Sequence, residues 1–421
     1  MFQNTFQRLR WKSLIQPWQE MDWLLLVVVI LLTVLGGLAI RSVELTRGLT
    51  DWTQHWITGG VGLVITLAIA RWRYDHLLRW TWVIYAITNL ALLVVIFIGT
   101  TANGAQSWVT LGSFNVQPSE FAKVGMIVVL AAVMHERTAN SIPMMLKVLA
   151  ITAVPWVLIM LQPDLGTGLV FGAITLGMLY WGNANPGWLV LLVSPLVAAI
   201  LFNVSLPLWF AWTALMVYLG WRTLPWRWPG ALGAATVNLV SGGLGHLLWE
   251  LLKDYQRDRL ILFLDPDKDP LGGGYHLIQS RIAIGAGQLW GRGLNQGTQT
   301  QLNFIPEQHT DFIFSAIGEE LGFVGSMVVL VLYWLVCLRL LIIAQNSKDN
   351  FGSLIAFGVF SMIVFQVLVN IGMTIGLAPI TGIPLPWLSY GRSALLTNFL
   401  ALGLVESVYN FRGRGGLRIR E

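Results

Sequence analysis

Charge is scarce in this sequence. Asp, Glu, Lys and Arg make up 11% of its 421 residues, against about 25% in an ordinary soluble domain. A large aqueous surface cannot be kept wet with so little charge, so a soluble globular protein is excluded. Cysteine is scarcer still: Cys337 is alone, which excludes an intramolecular disulfide and leaves the redox compartment unspecified. No internal repeat, low-complexity tract or flexible linker breaks the chain, and residues 1–421 read as one domain. No basic groove with interleaved aromatics appears, so the net charge of +5 does not point to nucleic acid.

What replaces charge is apolar length. Hydrophobic residues make up 55% of the chain, with 21 tryptophans, and the mean hydropathy is +0.66. The stretch from Asp22 to Ile40 spans roughly 28 Å as a helix, about the thickness of a bilayer core. It is not a secretory signal, because no small-x-small cleavage site follows and many similar stretches come after it. Apolar segments lie at about 22–40, 56–70, 80–100, 120–134, 146–162, 165–181, 188–204, 208–221, 230–252, 311–341, 354–376 and 387–407. Segment 208–221 is short for a span, and 230–252 is interrupted by "SGGLGH". The expected fold is all-α: a polytopic membrane protein of about 10–12 transmembrane helices.

Orientation follows from Lys and Arg in the short loops. With the N-terminus inside, fifteen such residues collect on the cytoplasmic side, among them Arg71, Arg79, Arg137, Arg222, Arg227, Arg339 and four arginines after Phe411. The short outer loops hold Arg41 and Arg47. Both termini are therefore expected in the cytoplasm, and segment 253–310 becomes one large extracytoplasmic loop.

Ionisable residues at membrane depth are costly unless paired or functional. "QPSEFAKVGM" sets Glu120 and Lys123 on one helix face, with Ser119 as the expected N-cap. "LQPDLGTG" carries Asp164, "HTDFIFSAIGEELG" carries His309, Asp311, Glu319 and Glu320, and "LSYGRSALL" carries Arg392. One reading treats these as ion pairs that fix helix packing. Another follows from clustering: Asp164, Glu120, Lys123, Asp311 and Arg392 all map to the outer half of the membrane and suit a polar cavity open to the outside.

The long loop contains "DPDKDPLGGGYH" over residues 265–276. Asp265, Asp267 and Asp269 match the first three acidic positions of an EF-hand, whose sixth position must be Gly and twelfth Glu. Here those positions are Pro270 and His276, and the EF-hand fails. A plain turn is the simpler reading of Asp-Pro and Gly-Gly-Gly.

Three blocks carry a resemblance. "NGAQSWVTLGSFNVQPSEFAK", the run from "YQRDRLILFLDPDKDPLGGGYH" through "IPEQHTDFIFSAIGEELG", and "NIGMTIGLAPITGIPLPWLSYGRSALL" are similar to the signature blocks of the SEDS family (shape, elongation, division and sporulation), and closer to its cell-elongation branch than to its division branch. The resemblance implies a peptidoglycan glycosyltransferase of the bacterial cytoplasmic membrane. Its substrate would be lipid II, a disaccharide-pentapeptide on undecaprenyl diphosphate, polymerised at the outer face. By motif, the family's essential aspartate falls on Asp269 and its glutamate-lysine pair on Glu120 and Lys123. The implied partners are a single-pass class B penicillin-binding protein, which supplies transpeptidation, and the cell-elongation machinery. The sequence departs from the family twice: an extra helical hairpin is expected within 205–250, and "SYGRS" stands where "SYGGS" is usual.

The chemistry requires a base for the attacking sugar hydroxyl and cationic help for the leaving diphosphate. Asp269 is the candidate catalytic base, of a kind worth about 10²–10⁴-fold, provided its surroundings shield it from water enough to raise its pKa. The substrate-binding candidates are Glu120, Lys123, Asp164, Arg257, Gln279, Ser280, Arg281, His309, Asp311 and Arg392. Of these, Lys123, Arg257, Arg281 and Arg392 are the cations suited to diphosphate. A divalent cation is a further candidate for that task, although no complete metal site is written in the sequence. Two rival functions stay open. A lipid-linked precursor flippase would need charges through both leaflets, and a non-catalytic scaffold for a transpeptidase would leave Asp269 dispensable.

Overall fold

The computed structural model describes residues 20–45, 51–102, 105–111, 114–251, 268–269, 274–302, 304–305 and 307–412. Helices dominate. They are α1 (Trp23–Glu44), α2 (Asp51–Ala70), α3 (Leu77–Ile98), α4 (Pro118–Glu136), α5 (Ile142–Leu161), α6 (Leu165–Trp181), α7 (Pro186–Val204), α8 (Leu206–Thr223) and α9 (Arg227–Leu251), followed by α10 (Tyr275–Ala286), α11 (Thr298–Gln301), α12 (Ile313–Gln345), α13 (Asn350–Ile375) and α14 (Arg392–Asn410). Every apolar segment expected from the sequence forms one of these. Among the described residues, eight helices are long and apolar enough to cross a membrane, and α6 is a shorter apolar helix.

Local chemistry sets the helix ends. Asp22 Oδ1 accepts from Leu25 N at 3.1 Å to start α1, and Asp349 Oδ1 accepts from Gly352 N at 2.8 Å to start α13. Gly376 closes α13 in the left-handed conformation, φ 82°, where a residue without a Cβ is favoured. The start of α4 differs from expectation. Gln117 is its N-cap residue and Pro118 occupies the first turn, a position proline favours because its missing N–H would be unpaired there anyway. Ser119 is therefore inside the helix and does not cap it.

Between α3 and α4 the chain forms a small antiparallel sheet that the helical reading did not anticipate. Its strands are β1 (Thr100–Ala102), β2 (Ala105–Leu111) and β3 (Phe114–Val116), in the order β1-β2-β3. Thr100 pairs with Trp108, and Val109 with Val116.

Helices α4 and α13 are central, and α4 is buried at every position from Ala122 to Met134; α3, α6, α12 and α14 pack around them. Side chains such as Phe97, Leu161, Val204 and Leu232 face outward instead, as a lipid environment allows. Helices α7, α8 and α9 pack on one another and join the rest principally through α6.

Helix α12 is broken. Gly322 has φ 68° and ψ −163°, which interrupts the hydrogen-bond ladder. The freed groups pair with residues 288–293: Arg292 N donates to Glu319 O at 3.0 Å, Gly293 N to Glu320 O at 2.9 Å, Phe323 N to Gln288 O at 2.9 Å and Val324 N to Leu289 O at 3.1 Å. Irregular backbone is tolerated at such depth only when protein satisfies it in this way. The approach is close enough that a Cβ on Gly322 would lie 2.2 Å from Gly291 N.

Candidate functional site

One face of the helical bundle gathers the starts of α4, α6 and α14, the end of α13, and helix α10. Asp164 links three of them. Its Oδ1 accepts from Thr167 N at 3.0 Å and its Oδ2 from Thr167 Oγ1 at 2.8 Å, which caps α6. Gln117 Nε2 donates to the same Oδ2 at 3.2 Å. Gln117 N in turn donates to Ser393 Oγ at 3.0 Å, joining the entrance of α4 to the first turn of α14.

One helical turn further into the bundle lies the pair Glu120 and Lys123, 3% and 1% exposed. Lys123 Nζ donates to Glu120 Oε1 at 2.8 Å and lies 2.7 Å from Oε2. Its charge is thus already matched by a carboxylate, inside the protein rather than at its surface.

Asp311 and the helix that Asp164 caps share a neighbour, the backbone at Thr381 and Gly382. The backbone between them approaches both: a Cβ on Gly166 would lie 2.6 Å from Thr381 O, and one on Gly382, φ +71°, would lie 3.5 Å from Asp311 Oδ2. Asn370 on α13 fixes this arrangement, donating to Asp311 O at 2.9 Å and to Ile383 O at 2.8 Å. His309 O accepts from Tyr390 N at 2.8 Å, and the two rings are 5.7 Å apart. Tyr390 is pushed up to about 12 by burial and then by the charge of Asp51, with Arg392 acting the other way. Arg392 is half-buried at the first position of α14, where the positive end of the helix dipole favours an anion.

Helix α10 contributes from the long loop. Ser280 is buried, and its Oγ donates to Thr374 O at 2.7 Å and lies 2.6 Å from Ser315 Oγ. Its hydroxyl is thus committed to holding α10 against α13 and α12. Gln279 is half-buried and Arg281 is exposed, the latter lying beside Gly376 at the end of α13. Asp269 is exposed, and its carbonyl accepts from Gly274 N at 3.0 Å, which ties it to the start of α10. Arg257, Asp265 and Asp267 lie outside the described residues.

Sequence reasoning missed several residues here. Gln117, Ser393 and Asn370 are uncharged and carry no motif of their own; only their partners reveal them. Glu319 reads from the sequence as one of the ionisable groups that fix helix packing. It is fully buried and caps α11: Oε1 accepts from Gln299 N at 2.8 Å and Thr298 Oγ1 at 3.2 Å, Oε2 from Thr300 N at 2.9 Å and Thr300 Oγ1 at 2.6 Å. Glu320 accepts from Ser42 Oγ on α1. His276 stacks on Phe312 at 6.1 Å; burial lowers its pKa, partly offset by Glu307. Its place in "GGGYH" was the only sequence signal.

No group of three or more His, Cys, Asp or Glu among the described residues is arranged to hold a metal ion. What the face offers is two arginines, Arg281 and Arg392, the exposed residue Asp269 at the approach to α10, and hydrogen bonds through Asp164 and Asp311 that hold neighbouring chain segments in register.

A model of the FtsW/RodA/SpoVE family, described as cell cycle protein, matches residues 20–413. The peptidoglycan glycosyltransferase RodA of Treponema pallidum is 35% identical over 425 residues, covering 92% of this chain and 97% of that protein. The peptidoglycan glycosyltransferase MrdB of Escherichia coli is 37% identical over 356 residues, 84% of each chain. Among solved structures, a chain of a peptidoglycan synthase complex that coordinates polymerization and crosslinking is 28% identical, with a TM-score of 0.71 over 94% of this chain and 99% of its own. The rod shape determining protein RodA of Thermus thermophilus shares the fold, at 24% identity and a TM-score of 0.61 over 93% and 98% of the two chains.

Proposed function

This chain belongs to the FtsW/RodA/SpoVE family and is a multi-pass membrane peptidoglycan glycosyltransferase, and from that premise we propose that it polymerises lipid II with Asp269 as general base. The face that carries Asp269, Asp164, Asp311 and Arg392 is the outer face of the cytoplasmic membrane, as the Lys and Arg asymmetry of the loops requires. Both termini are cytoplasmic.

In the proposed reaction the GlcNAc 4-hydroxyl of one lipid II attacks the anomeric carbon of the other glycan. A carbon–oxygen bond forms there, the bond to diphosphate breaks with its electron pair leaving on phosphate oxygen, and the hydroxyl proton passes to the Asp269 carboxylate. Attack opposite the leaving group inverts the anomeric centre, by the geometry that inverting glycosidases use. Arg281 and Arg392 meet the diphosphate, where guanidinium forks match phosphate oxygens. Arg257 is a third candidate for that task. The Glu120–Lys123 pair contributes a fixed, internally neutralised dipole beneath the site. His309, Gln279 and Ser280 hold the walls to which the sugar binds, and the isoprenoid tail stays in the bilayer against the lipid-facing helices.

The observation that carries this reading is that an exposed Asp269 is tied through its carbonyl to Gly274 at the start of α10, the helix that carries Arg281 and packs on α12 and α13. Because Asp269 is exposed, substrate itself must complete its shielding, and catalytic contacts of this kind tighten only when substrate is bound. A class B penicillin-binding protein is the proposed transpeptidase partner. Purified protein given fluorescent lipid II, with products resolved on a gel, tests the proposal: glycan strands are expected, and lipid II left unpolymerised both alone and with that partner contradicts it.

A further inference from the structure

Between Asp164 and Glu250 the chain carries two charges, Arg222 and Arg227, and they flank a single turn. The turn joins α8 to α9 on the face opposite the catalytic one. It is held firmly. Helices α8 and α9 cross so tightly beneath it that a Cβ on Gly220 would lie 2.9 Å from Gly230 O. Trp188 Nε1 donates to Thr223 O at 2.9 Å and fixes the end of α8 to the start of α7.

Both arginines are exposed. Arg222 Nη1 donates to Tyr218 Oη at 2.9 Å, and the Arg227 guanidinium lies over the Trp221 ring, 5.7 Å from its centroid. Neither has a carboxylate partner among the described residues. Around them Trp226 and Trp228 are 65% and 74% exposed, as tryptophans are at a membrane-water interface. Two oriented guanidiniums with no acidic partner among the described residues, ringed by interfacial tryptophans, match a ligand that is anionic at one end and apolar at the other.

We propose that this turn binds the phosphate headgroup of an anionic phospholipid, with the acyl chains lying along Trp226 and Trp228. Basic pockets between transmembrane helices on the cytoplasmic side suit such headgroups. The lipid would hold the peripheral unit α7–α9 at a fixed depth. This inference is independent of the glycosyl transfer proposed above, since the binding is read without substrate.

The test uses the full-length protein in nanodiscs of equal phosphatidylglycerol and phosphatidylethanolamine, released into native mass spectrometry to count retained lipids. Wild type is expected to retain phosphatidylglycerol preferentially. R222Q and R227Q should each lower that preference about five-fold, and the double variant should abolish it. A charge-matched control, R137Q/K147Q, alters two exposed residues elsewhere on the same face and should keep the preference. R222K/R227K, which keeps the charge, should retain most of it and serves if the glutamine variant is unstable. Equal retention of the two lipids by wild type, an unchanged preference in R222Q/R227Q, or an equal loss in the control overturns the proposal. In the last case the arginines act only as diffuse charge; in the first two the turn serves another partner, such as an acidic protein segment, or topology alone.

Discussion

Lys123 Nζ lies 2.8 Å from Glu120 Oε1 with both side chains buried in α4. Neither charge has water to fall back on, so removing one partner strands the other, at a cost of about 3–5 kcal/mol. E120A and K123A should each express poorly or melt at markedly lower temperature. The double variant E120L/K123M should recover much of the lost stability without recovering activity. Single variants as stable as wild type would show that the pair is not buried in the working protein.

Much of this architecture was legible from hydropathy, because each spanning helix is a local statement made by about twenty residues. The site face was partly legible for the same reason: Glu120, Asp164, Asp311 and Arg392 stand out as charges in apolar surroundings. The break in α12 was not. Gly322 in "ELGFVGS" reads as a tolerated helix glycine, and its conformation depends on backbone from residues 288–293 that supplies the replacement hydrogen bonds. The sheet at 100–116 was missed because its strands are short and depend on pairing with each other. Ser119 suits a cap by residue type, but Pro118 at the first helical position sets the N-cap two residues earlier, at Gln117.

Glu319 holds α11 through four hydrogen bonds, two of them to main-chain amides. E319A should cost about 2 kcal/mol or more, since each stranded buried donor costs roughly 1–3 kcal/mol. E319Q should not rescue it, because the amide nitrogen would face N–H groups. G322A should be worse than either, for its Cβ meets Gly291 N at 2.2 Å. Thermal melting of the three variants in detergent checks this; E319Q matching wild type would contradict the assigned role.

Burial lowers the pKa of His276 from its ordinary 6.5, so the fold holds the neutral ring while the unfolded chain takes up a proton more readily. The stability this contributes is complete above pH 6.5 and is lost as pH falls from there toward the depressed folded value. The melting temperature should drop between pH 7.5 and pH 5.5, and H276Q should flatten part of that slope. A slope identical in H276Q and wild type would remove His276 as a contributor.

The loop charges predict topology. A reporter inserted in segment 253–310 should read as extracytoplasmic and one fused after Arg414 as cytoplasmic. The opposite result at either position contradicts the orientation assigned from Lys and Arg.

The central claim is that Asp269 accepts the proton of the attacking hydroxyl. D269N keeps the shape of the side chain and removes its basicity. Lipid II polymerisation by purified D269N, followed on a gel beside D265N and D267N, is the direct measurement. The account predicts that D269N makes no glycan strands while expressing and melting as wild type does, and that the other two variants retain substantial activity. Long strands from D269N would contradict it, and the search for the base would move to Asp164 or Glu120.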